Sequence, residues 1–203
     1  MTQKTLEHDI FLISPVNDIL SKDEIACREH IQLRKEQWHE VYFPLDHTKQ
    51  DGDPIGNIIL DENDAAIKHG EFAEFYLAKT TIGSFGDLGG VVFHGKKLIL
   101  VNPKKFSKSD SMEEFALSYA SNSYYVAKSE IDAELFSFVD MVKDTDLPLS
   151  LEFSYDRKNL FKLGVLYASR KPFSIININE LQKTPDKSYH NVLHYLHNKF
   201  NQW

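Results

Sequence analysis

AEFYLAKTTIGSFGDLGGVVFHGKKLILVNP, residues 73–103, reads as strand, tight turn, helix, strand. Ala73 to Lys79 is aromatic and apolar enough for a short buried strand, and Leu98 to Val101 is a second. Between them Gly83-Ser84-Phe85-Gly86 turns sharply, because glycine tolerates positive φ and lets backbone approach a ligand. The spacing predicts a helix that starts near Ser84, read as its N-cap, and ends at Gly95 as C′ residue. That order puts a polar turn and a helix N-terminus at the carboxyl end of a strand, where open α/β sheets bind ligands. Asp87 falls in the first turn of the helix, where free N–H groups and the helix dipole favour an ionised carboxylate. Such a group can act as a nucleophile or bind a sugar hydroxyl.

Upstream, Asp9 to Pro15 is a strand whose apolar run, Ile10 to Ile13, calls for cover on both faces. Ser21 and Glu24 form a capping-box pattern for a helix with Cys27, Ile31 and Trp38 along one stripe. Val41 to Phe43 re-enters the sheet, and residues 46–54 read as a polar loop. Asp53-Pro54 reads as N-cap and first residue of a helix that ends near Gly70 and carries Asp64 toward its far end.

Downstream of Pro103, Ser111 with Glu114 makes another capping-box pattern, and Ser129 caps a helix bearing Ile131, Leu135, Phe138 and Val142. Further strands are expected near 123–127, 149–153 and 173–178. Setting Leu163-Gly164 on Leu88-Gly89 brings Lys171 onto Lys96 and repeats the helix-then-strand pattern, with Lys162 at the Asp87 position. Either an internal duplication or the generic look of a strand–helix–strand crossover accounts for this. The second half therefore adds strand–helix units to one sheet or forms a smaller α/β lobe. A last helix, 187–200, carries His190, His194 and His197 without an accompanying carboxylate, and these read as surface histidines rather than metal ligands.

The run Gly83-Ser84-Phe85-Gly86-Asp87-Leu88-Gly89, followed by Gly95-Lys96-Lys97 and a strand, resembles the nucleoside 2-deoxyribosyltransferase family. So do Ile10-Phe11-Leu12-Ile13-Ser14-Pro15, Val41-Tyr42-Phe43-Pro44-Leu45-Asp46 and the pair Asn63-Asp64. The resemblance covers about residues 9–102. It implies an α/β fold of Rossmann-like or flavodoxin-like type, with Asp87 at the position of the family's nucleophilic glutamate and Asp64 holding substrate. It also implies substrate contacts from Ser14, Pro15, Asp46, Gly83 and Ser84, no cofactor and a homo-oligomer. Asp87 is one methylene shorter than that glutamate, and Lys79-Thr80-Thr81-Ile82 stands where the family often has an aspartate.

Of 203 residues, 42% are hydrophobic and 26% charged, an ordinary globular composition. The net charge of −7 disfavours a nucleic-acid polymer as partner. A single cysteine, Cys27, allows neither an internal disulfide nor a thiolate cluster, and reads as a core residue. The polar N-terminus and the lack of a long apolar run predict a cytoplasmic protein without membrane contact. Taken together, these features predict one α/β domain over 1–203, with a mostly parallel central sheet and helices on both faces. The leading functional expectation is an N-glycosidic-bond enzyme acting on a nucleoside or nucleotide, by transfer or hydrolysis. A non-catalytic nucleotide-binding module is the alternative, and an NAD-cleaving enzyme a weaker one.

Overall fold

The unbroken apolar run Ile10-Phe11-Leu12-Ile13 forms β1 (Ile10–Ile13), and all four side chains are wholly buried. In the computed structural model, the described residues are 8–16, 19–48, 57–78, 83–121, 129–152, 154 and 156–176, with 57–59 as backbone only. β1 lies between β2 (Val41–Tyr42) and β3 (Phe72–Phe75), and β3 pairs with β4 (Lys97–Leu100). All of these pairings are parallel. The order β2-β1-β3-β4 is that of a flavodoxin-like sheet, whose direction of winding reverses between β1 and β3.

Two-sided burial explains the run. Ile10 and Leu12 pack with Cys27 of α1 (Ser21–Glu36) and with Val41 and Phe43. Phe11 and Ile13 face the larger core with Phe75, Phe85 and Leu88. That core is built by α3 (Asn57–His69), α4 (Ser84–Phe93), α5 (Ser111–Ser121), α6 (Glu130–Asp144) and α7 (Arg157–Ser169). α2 (Pro44–His47) is a single turn where the sequence reads as the start of a polar loop. Glu74, in the middle of β3, is fully buried and is satisfied by His30 and Arg34 of α1. Burial alone would raise its carboxyl, but the hydrogen bonds from His30 and Arg34 hold it below the usual range.

The ends of α4 follow local chemistry only in part. Gly95 adopts φ 65°, Gly95 N–H donates to Val92 O and Lys96 N–H to Val91 O, the Schellman pattern. Ser84, expected as N-cap, is instead the first helical residue and makes no side-chain cap; Gly83 holds the cap position. Ser21 likewise fails to cap α1, whose first N–H groups turn back to Leu20 O. At α5 the cap is Asp110, whose Oδ1 accepts from Met112 and Glu113 N–H, rather than Ser111. Ser129 caps α6 as expected. Trp38, expected on the buried stripe of α1, lies beyond its end with φ 66° and is 95% exposed. The helix stops before its periodicity carries Trp38 inward.

β5 (Leu149–Glu152) and β6 (Phe173–Ile176) form a parallel pair of their own, separate from the four-stranded sheet. The expected strand at 123–127, the cap at Asp53-Pro54 and the helix at 187–200 lie outside the described residues. The order α3-β3-α4-β4 recurs as α6-β5-α7-β6. With Leu163-Gly164 set on Leu88-Gly89, α3 ends at His69 opposite the end of α6 at Asp144. α4 and α7 cross with their backbones touching. A Cβ on Gly164 would sit 1.9 Å from Gly86 O, and one on Gly89 would sit 2.2 Å from Phe161 O. In the same alignment Phe161 is the counterpart of Gly86. The crossing is therefore reciprocal, as about a local twofold axis.

Candidate functional site

A cavity of about 50 Å³ opens where three helices meet. α3 lines it with Leu60, Asn63, Asp64 and Ile67, and the start of α4 with Gly83, Gly86, Asp87 and Gly90. α7 closes the third side with Leu160, Leu163, Gly164 and Tyr167. The volume corresponds to roughly three or four waters, the scale of one edge of a sugar ring rather than a whole nucleoside.

Asp87 sits between the polar and apolar walls. Leu88, Val91 and Val92 of the same helix turn into the core, which leaves Asp87 directed at α3. Among the described residues its only hydrogen-bond partner is Asn63, whose Nδ2–H donates to Asp87 Oδ1 at 3.3 Å. The N–H groups of its own helix do not hold it, contrary to the dipole argument from sequence. Surrounded by protein, its carboxyl is pushed up to about 7 by burial, and the Asn63 N–H opposes this. Asp87 is part-exposed and lines the cavity, so its burial is incomplete on that side. A carboxyl that exchanges its proton near neutrality, in a cavity, is what acid–base and nucleophilic chemistry require.

Asp64 also lines the cavity, but both of its oxygens are engaged. His94 Nε2 donates to Oδ1 at 2.9 Å and Arg170 Nη2 to Oδ2 at 2.6 Å. Arg170 reaches Asp61 as well, and the Tyr167 hydroxyl donates to Asp61. Burial beside that carboxylate raises the Tyr167 phenol. Asp64 thus belongs to a clasp between α3 and the end of α7, where Arg170 takes up the left-handed conformation at φ 56°.

No family model, curated protein or solved structure matches the chain.

The remaining expected contacts divide. Gly83 lines the cavity. Ser14, Pro15 and Ser84 are buried outside its lining, and the hydroxyls of Ser14 and Ser84 have no hydrogen-bond partner among the described residues. Asp46 is drawn away altogether. Arg28 grips it through two N–H groups at 2.9 and 3.0 Å on the exposed side of α1. Two contributions had no place among the expected site residues: Asn63 as the donor to Asp87, and the whole α7 wall. The recurrence of the helix-then-strand pattern was the one signal in the sequence that pointed to α7.

The corresponding position in the second half carries a cation in place of the carboxyl. Lys162, at the Asp87 position, lies 5.4 Å from the ring of Phe138, which stands at the Asn63 position. Lys162 also pairs with Glu134 at 2.9 Å. A cation over an aromatic ring replaces the carboxyl–amide pair. Among the described residues no group of three or more His, Cys, Asp and Glu side chains is placed to hold a metal ion, and no helix is long and apolar enough to cross a membrane.

Proposed function

We propose that the chain acts on the N-glycosidic bond of a nucleoside or nucleotide, with Asp87 as the reacting carboxylate. One observation carries this reading: Asp87 lines a cavity, is free of its own helix's N–H groups, and exchanges its proton near neutral pH. Burial raises the carboxyl toward neutrality, so both its protonated and its ionised forms are accessible there. The ionised form attacks the anomeric carbon, a C–O bond forms as the C–N bond breaks, and the electron pair leaves with the base, which takes a proton from water. Positive charge developing on the sugar favours the ionised carboxyl at that moment. Water or a second base then releases the sugar ester, giving hydrolysis or transfer. The size of the cavity admits the sugar edge.

The same small volume favours a second reading, a module that binds a nucleotide-like ligand without chemistry. Incubation with deoxynucleosides, ribonucleotides and NAD, followed by chromatography for free base, decides between them. Free base that disappears in Asp87→Asn supports the enzyme, and the class of substrate consumed identifies the reaction. Tight binding without turnover of any class supports the module. A homo-oligomer belongs to the same proposal, and a monomeric mass by light scattering at micromolar concentration would count against it.

A further inference from the structure

We propose that Tyr42 and Thr48 are positioning residues that act on Asp87 through Asn63, by a single buried hydrogen-bond chain of fixed direction. This rests on Asp87 being the reacting group. Tyr42 (4% exposed) ends β2, Thr48 (3%) follows α2, and Asn63 (7%) lies in the middle of α3. The Tyr42 hydroxyl is 2.9 Å from Thr48 Oγ1, which is 2.9 Å from Asn63 Oδ1, and Asn63 Nδ2 is 3.3 Å from Asp87 Oδ1. Residues of β2, the turn after α2 and α3 are thus linked in series to one carboxyl oxygen on α4.

The direction follows from the donor inventory. The amide of Asn63 presents its NH2 to Asp87 and its oxygen to Thr48, which is the arrangement the ionised carboxyl requires because a carboxylate only accepts. An amide oxygen only accepts, so the Thr48 hydroxyl must donate to it. The lone pairs of Thr48 are then left for the Tyr42 hydroxyl, which donates in turn. Each donation polarises the next, which strengthens the N–H that reaches Asp87. Without the Thr48 hydrogen the amide of Asn63 has no reason to keep this orientation. Turned over, it would present oxygen to Asp87, accept from the protonated carboxyl and repel the ionised one.

Other charges facing Asp87 do not serve this purpose. Asp64 on α3 is matched by His94 and Arg170, and Tyr167 on α7 donates to Asp61. Asp87 itself is the titratable group that α4 brings to the cavity. Burial raises the Tyr42 phenol, and the nearby Glu62 and Asp87 add to this to a lesser degree.

The test is a carbon-13 NMR titration of the Asp87 carboxyl in the intact chain, with the signal assigned by its loss in Asp87→Asn. Thr48→Val is expected to move the midpoint upward by about half to one pH unit, the size of one lost neutral hydrogen bond passed on through Asn63. Thr48→Ser, which keeps the donor, is expected to leave it in place, and Tyr42→Phe to raise it by less than Thr48→Val. Equal midpoints for Thr48→Val and Thr48→Ser would overturn the chain. Should Thr48→Val not fold, Tyr42→Phe decides alone: an unmoved midpoint overturns the proposal and a raised one supports it. Because the titration uses no substrate, lack of turnover would refute the glycosidic reading without altering this result.

Discussion

Replacing Asp87 by asparagine should stabilise the protein, and by an amount that depends on pH. In the unfolded chain the aspartate titrates at its ordinary value of 3.8, and in the fold at about 7. Between those values the unfolded chain is ionised while the folded one still holds its proton. Folding therefore takes up a proton, and stability falls as pH rises from about 4 to 7 and stays low above that. A gap of about three pH units at 1.36 kcal/mol each gives ~4 kcal/mol as the ceiling of the penalty above pH 7. Incomplete burial on the cavity side takes back part of it. Asparagine keeps the oxygen that accepts from Asn63 and removes the charge. Urea denaturation of both proteins across this range should show Asp87→Asn more stable by several kcal/mol near about pH 8, and by less than about 1 kcal/mol near about pH 4. Equal stabilities at both ends would refute the buried, proton-holding carboxyl, and with it the main support for a reacting group here. A stabilised but inactive variant is the expected signature of a site that costs the fold stability.

The crossing of α4 and α7 leaves no room for a methyl group. Gly164→Ala, whose Cβ would press into Gly86 O, should cost at least about 3 kcal/mol in urea denaturation, because only backbone can yield. Gly90→Ala, 3.4 Å from the end of the Ile67 side chain, should stay within about 1 kcal/mol of the parent; equal effects would argue against the close crossing. Trp38→Gly should raise stability by about 1 kcal/mol, since glycine relieves the left-handed backbone and the exposed ring loses nothing. A drop in stability would show that the ring packs somewhere. Cys27 is wholly buried and its thiol is pushed up to about 12, so a thiol reagent at neutral pH should label it only on unfolding. Labelling in native buffer as fast as in urea would contradict that burial.

Some local signals determined the outcome by themselves, although the caps read at Ser21, Ser84 and Ser111 did not form. Gly95 ends α4 because only a residue without Cβ enters the left-handed region at no cost, and that preference acts over one turn. The run Ile10 to Ile13 is central because an uninterrupted apolar strand has no face to give to water, and four parallel strands follow from its alternation with helices. Ser129 caps its helix through a contact three residues away. The site was legible only as far as the turn that carries Asp87 and the helix that carries Asn63 and Asp64. Whether Asp87 is ionised was decided by tertiary structure, because burial by α3 and α7 outweighs a helix dipole worth at most a fraction of that effect. Asp46 was removed from the site by Arg28, eighteen residues away along the chain, and Asp64 was claimed by Arg170, more than a hundred residues on. Partners at such separations leave no periodicity or spacing to read. The third wall of the cavity comes from α7, brought to α4 by glycine-to-backbone contact, and that contact exists only once both halves have folded against each other.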